Sequence, residues 1–199
     1  MGKFSISSTV WCLVVLVIWG ASANPIIDEP VCLQKEQAVK FEVYIQDISK
    51  GPNATVWEVA RATISTDSEP YFGIVRVIDN QITAGPDPSS QEIGRLQGAV
   101  YFSDMHDVAV TMNFNFLFTT GRYRGSTLAV LGRNPMNDDV REVPVVGGTG
   151  AFRLARGYSI STTPFFNKTG GFGVLKYSFY ILHFGYPHLE QAYIEQVVA

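Results

Sequence analysis

The sequence predicts an all-β domain, and we favour a closed barrel over a two-sheet sandwich. Apolar and polar side chains alternate along most of the chain, with the period of two residues that a half-buried strand produces. Segments with this pattern recur at regular spacing between turns that contain Gly or Pro, and helical periodicity is almost absent. Closing the sheet removes exposed edges, and about eight strands leave room for one small ligand.

The predicted strands follow one another from residue 39 to residue 184. The first alternates Val39, Phe41, Val43 and Ile45 with polar residues, and the turn at 51–53 leads into the second. The remaining strands are predicted at 55–64, 73–80, 94–103, 108–119, 126–132, 141–146, 152–163 and 174–184.

The two ends of the chain lie outside this pattern. Residues 1–23 are typical of a secretory signal, in which Lys3 supplies the positive charge, 10–19 the apolar core and 21–23 the small residues before cleavage. We expect 24–38 to be a flexible N-terminal segment, 39–184 one domain, and 185–199 a tail that includes a short helix. The sequence therefore predicts an exported protein, and no later segment reaches the roughly 18 uninterrupted apolar residues that a membrane span requires.

Two further features fit export. Asn53 and Asn167 each begin an Asn-X-Thr tripeptide, the acceptor of N-glycosylation, and each lies beside Gly or Pro turn signals that predict exposed loops. Once Cys12 leaves with the signal, Cys32 has no intramolecular disulfide partner, and we expect it to be a buried apolar residue or part of a flexible tail. The formal net charge of −3 gives no indication of binding to nucleic acid or to an anionic membrane surface.

Two ionisable residues fall on apolar faces of predicted strands. Extending the alternating face of the first strand by one step reaches Asp47, and a strand that starts at Phe152 puts Arg156 on its apolar side. Burial raises the pKa of a carboxyl, which suits a general acid or base, and an inward arginine needs an acid or a ligand. We predict Asp47 and Arg156 as catalytic residues. A structural ion pair is the alternative, and Asp47 could instead cap the turn that follows it.

Weaker candidates share the apolar faces of other strands. Each is a possible substrate-binding residue, although residues of these types on strands are more often core, rim or packing residues. They are Arg76, Tyr158, Tyr177 and His183.

No cofactor or metal is implied by the sequence. The histidines lack cysteine partners and the spacing of a zinc site, and no G-x-S-x-G elbow is present. The glycines at 147–150 lack the Lys-Ser/Thr of a phosphate loop, and a tight turn or bulge explains them better.

Ordered motifs fill the predicted domain. They are Tyr44-Ile-Gln-Asp-Ile48, Gly51-Pro-Asn-Ala-Thr55, 72–73, 78–86, Ile93-Gly-Arg-Leu-Gln-Gly98, 121–128, Leu131-Gly-Arg-Asn-Pro135, 141–157 and 180–183. Through these motifs the sequence resembles the plant dirigent proteins over nearly the whole domain, from about residue 41 to residue 184.

The resemblance implies an eight-stranded antiparallel barrel of the kind shared with allene oxide cyclases. It also implies a homo-oligomer (a dimer or trimer), secretion to the apoplast and glycosylation. Members control stereochemistry in reactions of phenolic radicals or quinone methides, and most depend on a separate oxidase such as a laccase. The catalytic aspartate of the family corresponds to Asp47, and its inward arginine to Arg156.

Several positions depart from the lignan-forming members. Gln46 stands where the family usually has His, Ala151 where lignan-forming members have an acid, and Val100 where they have a tyrosine. The chain looks like the broader branch near which pterocarpan-forming members fall. Three functions stay open: an auxiliary that guides phenoxy-radical coupling in lignan-type phenylpropanoid synthesis, a cyclase that dehydrates an isoflavanol, and a defence-related wall protein that binds a phenolic compound without changing it.

Overall fold

The protein is described here from a computed structural model that covers residues 35–67 and 69–184. Antiparallel strands make up most of this part of the chain, and helix is limited to the short 3-10 turns Gly121–Tyr123 and Gly150–Phe152. The strands are β1 Glu36–Ile48, β2 Val56–Arg61, β3 Ile74–Thr83, β4 Glu92–Phe102, β5 Ala109–Phe118, β6 Thr127–Pro135, β7 Arg141–Thr149, β8 Arg156–Asn167 and β9 Phe172–Phe184.

Eight of these strands close into a barrel. Their order is β1-β9-β8-β7-β6-β5-β4-β3, and pairing of Tyr44 with Thr83 and of Gln46 with Gln81 joins β3 back to β1. β2 stands outside this ring and pairs only with β3, from Val56 opposite Ile78 to Arg61 opposite Ile74. The predicted eight-stranded antiparallel barrel is therefore confirmed, with β2 as an additional flanking strand.

The barrel interior follows the alternation read from the sequence. On β5, alternate residues from Val110 to Phe118 are all buried, while Asn113 and Asn115 between them are exposed. The inward row of β1 continues in the same way through Val43 and Ile45. Full burial of such apolar side chains stabilises the fold by about 1.5–3 kcal/mol each.

One end of the barrel is filled by aromatic rings. We call the cluster of Phe41, Phe118, Tyr123, Phe152 and His183 the aromatic end. The Phe152 ring lies 4.6 Å from Tyr123 and 5.7 Å from His183, and Phe41 lies 5.8 Å from Phe118. Rings at these separations are packed against one another. A ligand is therefore expected to enter the barrel from the opposite end.

The predicted phase of β8 is wrong. Phe152 does not begin the strand but ends a 3-10 turn, and Leu154 has a positive φ of 59°, so the alternation breaks before the strand starts at Arg156. Ser159 and Ser161 face the interior instead, while Arg156 and Tyr158 face outward. Gly157 also has a positive φ, and a Cβ there would lie 2.0 Å from the Tyr180 carbonyl oxygen. The sequence at this strand start needs glycine for that close approach.

The first strand starts slightly earlier than predicted. β1 begins at Glu36 rather than at residue 39, because backbone pairing with β9 continues as far as Glu36 opposite Phe184. The predicted signal, Cys32 and the predicted helical tail lie outside the described residues. Within 35–67 and 69–184, no helix is long and apolar enough to cross a membrane.

Candidate functional site

Asp47 lies at the end of the barrel opposite the aromatic end. It is the last residue but one of β1, and its inward direction follows from the buried Val43 and Ile45 on the same face. Its Oδ1 accepts a hydrogen bond of 2.7 Å from Nδ2 of Asn80, whose own Oδ1 accepts the Thr55 hydroxyl at 2.5 Å. Burial raises the pKa of Asp47, and this effect outweighs the Asn80 hydrogen bond and the charge of Arg76, which lower it. The predicted inward carboxyl is confirmed, and its catalytic role remains a prediction.

The inward arginine on β7 is Arg141. Only 5% of this residue is exposed, and it shares the interior face of the strand with Val143 and Val145. Nε donates to the Ser161 hydroxyl at 3.2 Å, and a terminal nitrogen donates to Thr163 Oγ1 at 2.8 Å. Burial lowers the pKa of Arg141, because nearby negative groups compensate its desolvation only in part.

Arg156, by contrast, is not an interior residue. Its side chain is 58% exposed and forms an ion pair of 2.6 Å with Glu36 on the outer surface. The prediction that it faces inward is wrong for the reason given above. Sequence reasoning missed Arg141, although alternation with Val143 and Val145 was a signal that could have found it.

Tyr177 connects the two charged residues electrostatically. Its side chain is buried on the inward face of β9, directly opposite Ser161 on β8 and Val43 on β1. Burial raises the pKa of Tyr177 to about 12, while Arg141 lowers it and Asp47 raises it. The hydroxyl therefore stays protonated at physiological pH and lies within electrostatic range of both groups.

Asn134 adds an unused acceptor to this end of the barrel. It is 8% exposed, and its Nδ2 donates to Met112 Sδ at 3.3 Å. Its Oδ1 is buried and has no hydrogen-bond partner among the described residues. A buried acceptor without a partner costs about 1–3 kcal/mol, and a ligand hydroxyl could satisfy it. We call Asp47, Asn80, Asn134, Arg141 and Tyr177 the polar end of the barrel.

Of the remaining substrate-binding candidates, two face the barrel interior and one lies on the outer surface. Arg76 faces the interior as predicted, with Cζ 5.1 Å from the Phe102 ring centroid, and its charge acts on Asp47. His183 also faces inward as predicted, but it belongs to the aromatic end, where its Nδ1 has no described partner. Tyr158 lies on the outer surface, stacked 4.8 Å from Tyr180, so the structure does not bring it to the other candidates.

The two predicted glycosylation acceptors lie on turns at the same end of the barrel as Asp47. Asn53 is in the turn after β1, Asn167 ends β8, and both are exposed. The two turns contact each other, because the Ser49 backbone N–H donates to the Gly171 carbonyl oxygen at 2.7 Å. Their exposure agrees with the predicted surface loops.

The polar end combines groups suited to proton transfer. β1 and β7 are three steps apart in the eight-strand ring, so Asp47 and Arg141 belong to well-separated walls of one interior. A carboxyl with a raised pKa can exchange a proton, and the guanidinium groups of the buried Arg141 and the half-buried Arg76 can stabilise negative charge that develops on a bound oxygen. Among the described residues, no three His, Cys, Asp or Glu side chains come together as a metal site would require.

Comparison with known proteins agrees with this architecture. The family profile described as "Dirigent-like protein" matches residues 38–182. Dirigent protein 21 of Arabidopsis thaliana is 43% identical over 148 residues, which cover 74% of this chain and 78% of that protein. Pterocarpan synthase 1 of Glycyrrhiza echinata is 30% identical over 182 residues, covering 91% and 97% of the two chains.

Solved structures show the same relationship. The pterocarpan synthase dirigent protein GePTS1 superposes with a TM-score of 0.71 at 31% identity, over 79% of this chain and 90% of that one. The pterocarpan synthase dirigent protein PsPTS1 gives a TM-score of 0.70 at 33% identity, over 77% and 99%. The chain therefore belongs to the dirigent protein family.

Proposed function

We propose that this protein directs the stereochemistry of a reaction that passes through a phenol-derived quinone methide, bound at the polar end of the barrel. In the favoured form of the proposal, a separate laccase-like oxidase makes phenoxy radicals from a phenylpropanoid alcohol, and the protein fixes the faces on which two radicals couple. The observation that carries the proposal is the presence of a carboxyl with a raised pKa, Asp47, and a buried arginine, Arg141, in one barrel interior.

Orientation is the first contribution of the protein. Two planar radicals that meet in solution couple on either face, so the product is racemic. A barrel that admits them from one end restricts their approach, since the aromatic end is filled by packed rings. Holding the reacting carbons in one arrangement can contribute up to about 7–11 kcal/mol in well-oriented systems, and stereoselectivity requires only a small part of this.

Proton transfer is the second contribution. Coupling gives a quinone methide that closes a ring when a side-chain alcohol attacks the methide carbon. The alcohol must lose its proton, and the quinone methide carbonyl oxygen must gain one to become a phenol. Asp47 accepts the first proton as a general base, and its raised pKa makes it a better base than an ordinary aspartate. The proton count balances, because ring closure is an isomerisation.

The other polar groups have matching roles. Arg141, with Arg76 at the other wall, stabilises phenolate charge that develops as the carbon–oxygen bond forms. Tyr177 keeps its proton and can donate it as a hydrogen bond, and Asn134 Oδ1 can accept a substrate hydroxyl. The interior therefore offers acceptors and donors to a phenol with several oxygens.

Chiral chromatography tests this function. Coniferyl alcohol is oxidised by laccase with and without the purified protein, and the enantiomer ratio of each coupling product is measured. Enantiomeric excess that depends on the protein supports the proposal, and Asp47→Asn and Arg141→Leu should reduce it. Racemic product at saturating protein would rule out guidance of this coupling.

A second candidate is a cyclase that dehydrates an isoflavanol and needs no oxidant. Asp47 would donate a proton to the leaving hydroxyl, water would depart, and a phenol of the same molecule would close the ring on the quinone methide. Alignment with pterocarpan synthase 1 over 97% of that protein favours this candidate, as does Ala151, where lignan-forming members have an acid. Turnover of an isoflavanol without laccase distinguishes it. Binding of either phenol with no change in products would instead indicate a binding protein.

The proposed setting is the apoplast, where the secreted chain works as a homo-oligomer with glycans at Asn53 and Asn167. Exposure of both acceptors supports the glycans, and exposed apolar side chains on the outer sheet, including Trp57 and Val77, support association of copies. Light scattering of the secreted protein, before and after enzymatic removal of glycans, measures both properties.

A further inference from the structure

Phe166 lies on the interior face of the sheet, in line with Asp47. Gly173 on β9 is directly opposite Asp47 on one side and directly opposite Phe166 on the other. Residues directly opposite each other in antiparallel strands point to the same side of the sheet. Phe166, Gly173 and Asp47 therefore form one row at the polar end.

A β-bulge gives Phe166 this direction. Strict alternation from the buried Ser159 and Ser161 would point Phe165 inward and Phe166 outward. The register shifts between Thr162 and Phe165, which reverses the phase of the strand. Phe165 consequently faces the other side, where its ring lies 5.9 Å from that of Phe172.

Gly173 leaves room for the Phe166 ring in the middle of the row. The Phe166 ring reaches over the glycine, since its Cδ2 would lie 3.0 Å from a Cβ added there. Adjacent strands are about 4.8 Å apart, so the backbones of Phe166 and Asp47 are separated by roughly 10 Å. That separation accommodates one flat aromatic ring against Phe166 with a hydroxyl near Asp47. The Phe166 side chain is not needed for the core, because the residue is 60% exposed.

We propose that Phe166, whose ring lies over Gly173, is a substrate-binding residue that stacks on the aromatic ring of a bound phenol and directs the substrate oxygen towards Asp47. This inference rests on the function proposed above and names the residue that fixes the tilt of the substrate ring. Stacking requires only the exposed ring of Phe166, which lies beside Gly173, a residue without a side chain.

Isothermal titration of the full secreted protein with coniferyl alcohol, and separately with an isoflavanol, tests the inference. Phe166→Ala should weaken binding about five- to tenfold, the usual effect of losing an aromatic pair. Phe166→Tyr should keep affinity within about twofold, since the ring is retained. Phe165→Ala is the matched control, an equally large change one residue away on the other face, and should leave binding unchanged. Gly173→Ala should weaken binding without removing any side chain, because the added methyl group would lie 3.0 Å from Phe166 Cδ2 and displace the Phe166 ring.

The outcomes separate this inference from the proposed function. Unchanged affinity in Phe166→Ala, or an equal loss in Phe165→Ala, would overturn the Phe166 site and leave the proposed function intact. The predicted binding pattern with product stereochemistry that does not respond to Asp47→Asn would support the Phe166 site and contradict the proton-transfer role. Failure of the wild-type protein to bind either phenol would overturn both.

Discussion

Asp47→Asn should make the protein more stable at neutral pH while impairing its chemistry. The substitution keeps the size of the side chain and a carbonyl oxygen that can still accept the 2.7 Å hydrogen bond from Asn80. It removes the negative charge that burial disfavours. Opposite effects on stability and activity are characteristic of a group kept for function rather than for folding.

The sign of the stability effect follows from the direction in which burial shifts the pKa of Asp47. Burial raises this pKa above the ordinary value of 3.8. Below pH 3.8 the carboxyl is neutral in both the folded and the unfolded chain. Neither wild type nor variant then holds a buried charge at this position, so their stabilities should be equal. As pH rises through the folded pKa, wild type loses stability because the folded state must hold a buried charge. Asn80 and Arg76 offset part of the burial effect, so the net effect is smaller than that of burial alone. We therefore expect a gain in stability at pH 7 of the size common for single substitutions, about 1 kcal/mol or roughly 2–4 °C in Tm.

Thermal unfolding at pH 3, 5 and 7, followed by circular dichroism, measures this difference. The gain in Asp47→Asn should be near zero at pH 3 and grow towards pH 7. Asp79→Asn is the matched control on β3, because Asp79 is exposed and pairs with Arg95 at 3.0 Å. It should lower stability at pH 7 by at most about 1 kcal/mol. A less stable Asp47→Asn at pH 7, or full stereocontrol in that variant, would refute the reasoning.

The remaining predictions concern the other polar residues and the turns. Arg141→Leu should bring the enantiomeric excess of the coupling product close to zero. Arg156→Ala, which removes an exposed ion pair, should leave the enantiomeric excess nearly unchanged; chiral analysis of the products of both variants decides between the two arginines. Tyrosine absorbance at 295 nm in alkaline titrations should lose a component near pH 12 in Tyr177→Phe, because burial raises the pKa of Tyr177 to about 12. Asn53→Gln and Asn167→Gln should each remove one glycan from protein secreted by plant cells, as seen by mass spectrometry, and shift Tm by less than about 2 °C because both side chains are exposed.

The alternation of the sequence was sufficient to predict the all-β class, the inward rows of the regular strands and one half of the site. β1 and β5 keep an unbroken period of two residues, so their inward rows, including Asp47, follow directly from the sequence. Arg141 lies on a strand with the same regularity, and attention to its alternation with Val143 would have identified it. Closure of the barrel between β1 and β3 has no local signal, because it joins residues far apart in the chain.

The incorrect predictions come from shifts of phase in a single strand. Before β8, the 3-10 turn Gly150–Phe152 and the positive φ of Leu154 shift the phase, so Arg156 and Tyr158 face outward. Near its other end, the bulge before Phe165 shifts it again. A shift by one residue transfers every later side chain to the other face, and neither shift can be located from residue types alone.

These two shifts of phase determine which residues in and next to β8 face the interior at each end of the barrel. The first follows the 3-10 turn from which Phe152 packs into the aromatic end. The second brings Phe166 into the row of Asp47 at the polar end. Between them, Ser159 and Ser161 face the interior, and the Ser161 hydroxyl accepts a hydrogen bond from Arg141 Nε. Substrate selection among related barrels is therefore expected to depend less on the regular core than on the position of the bulge and on the residue opposite Asp47, here a glycine.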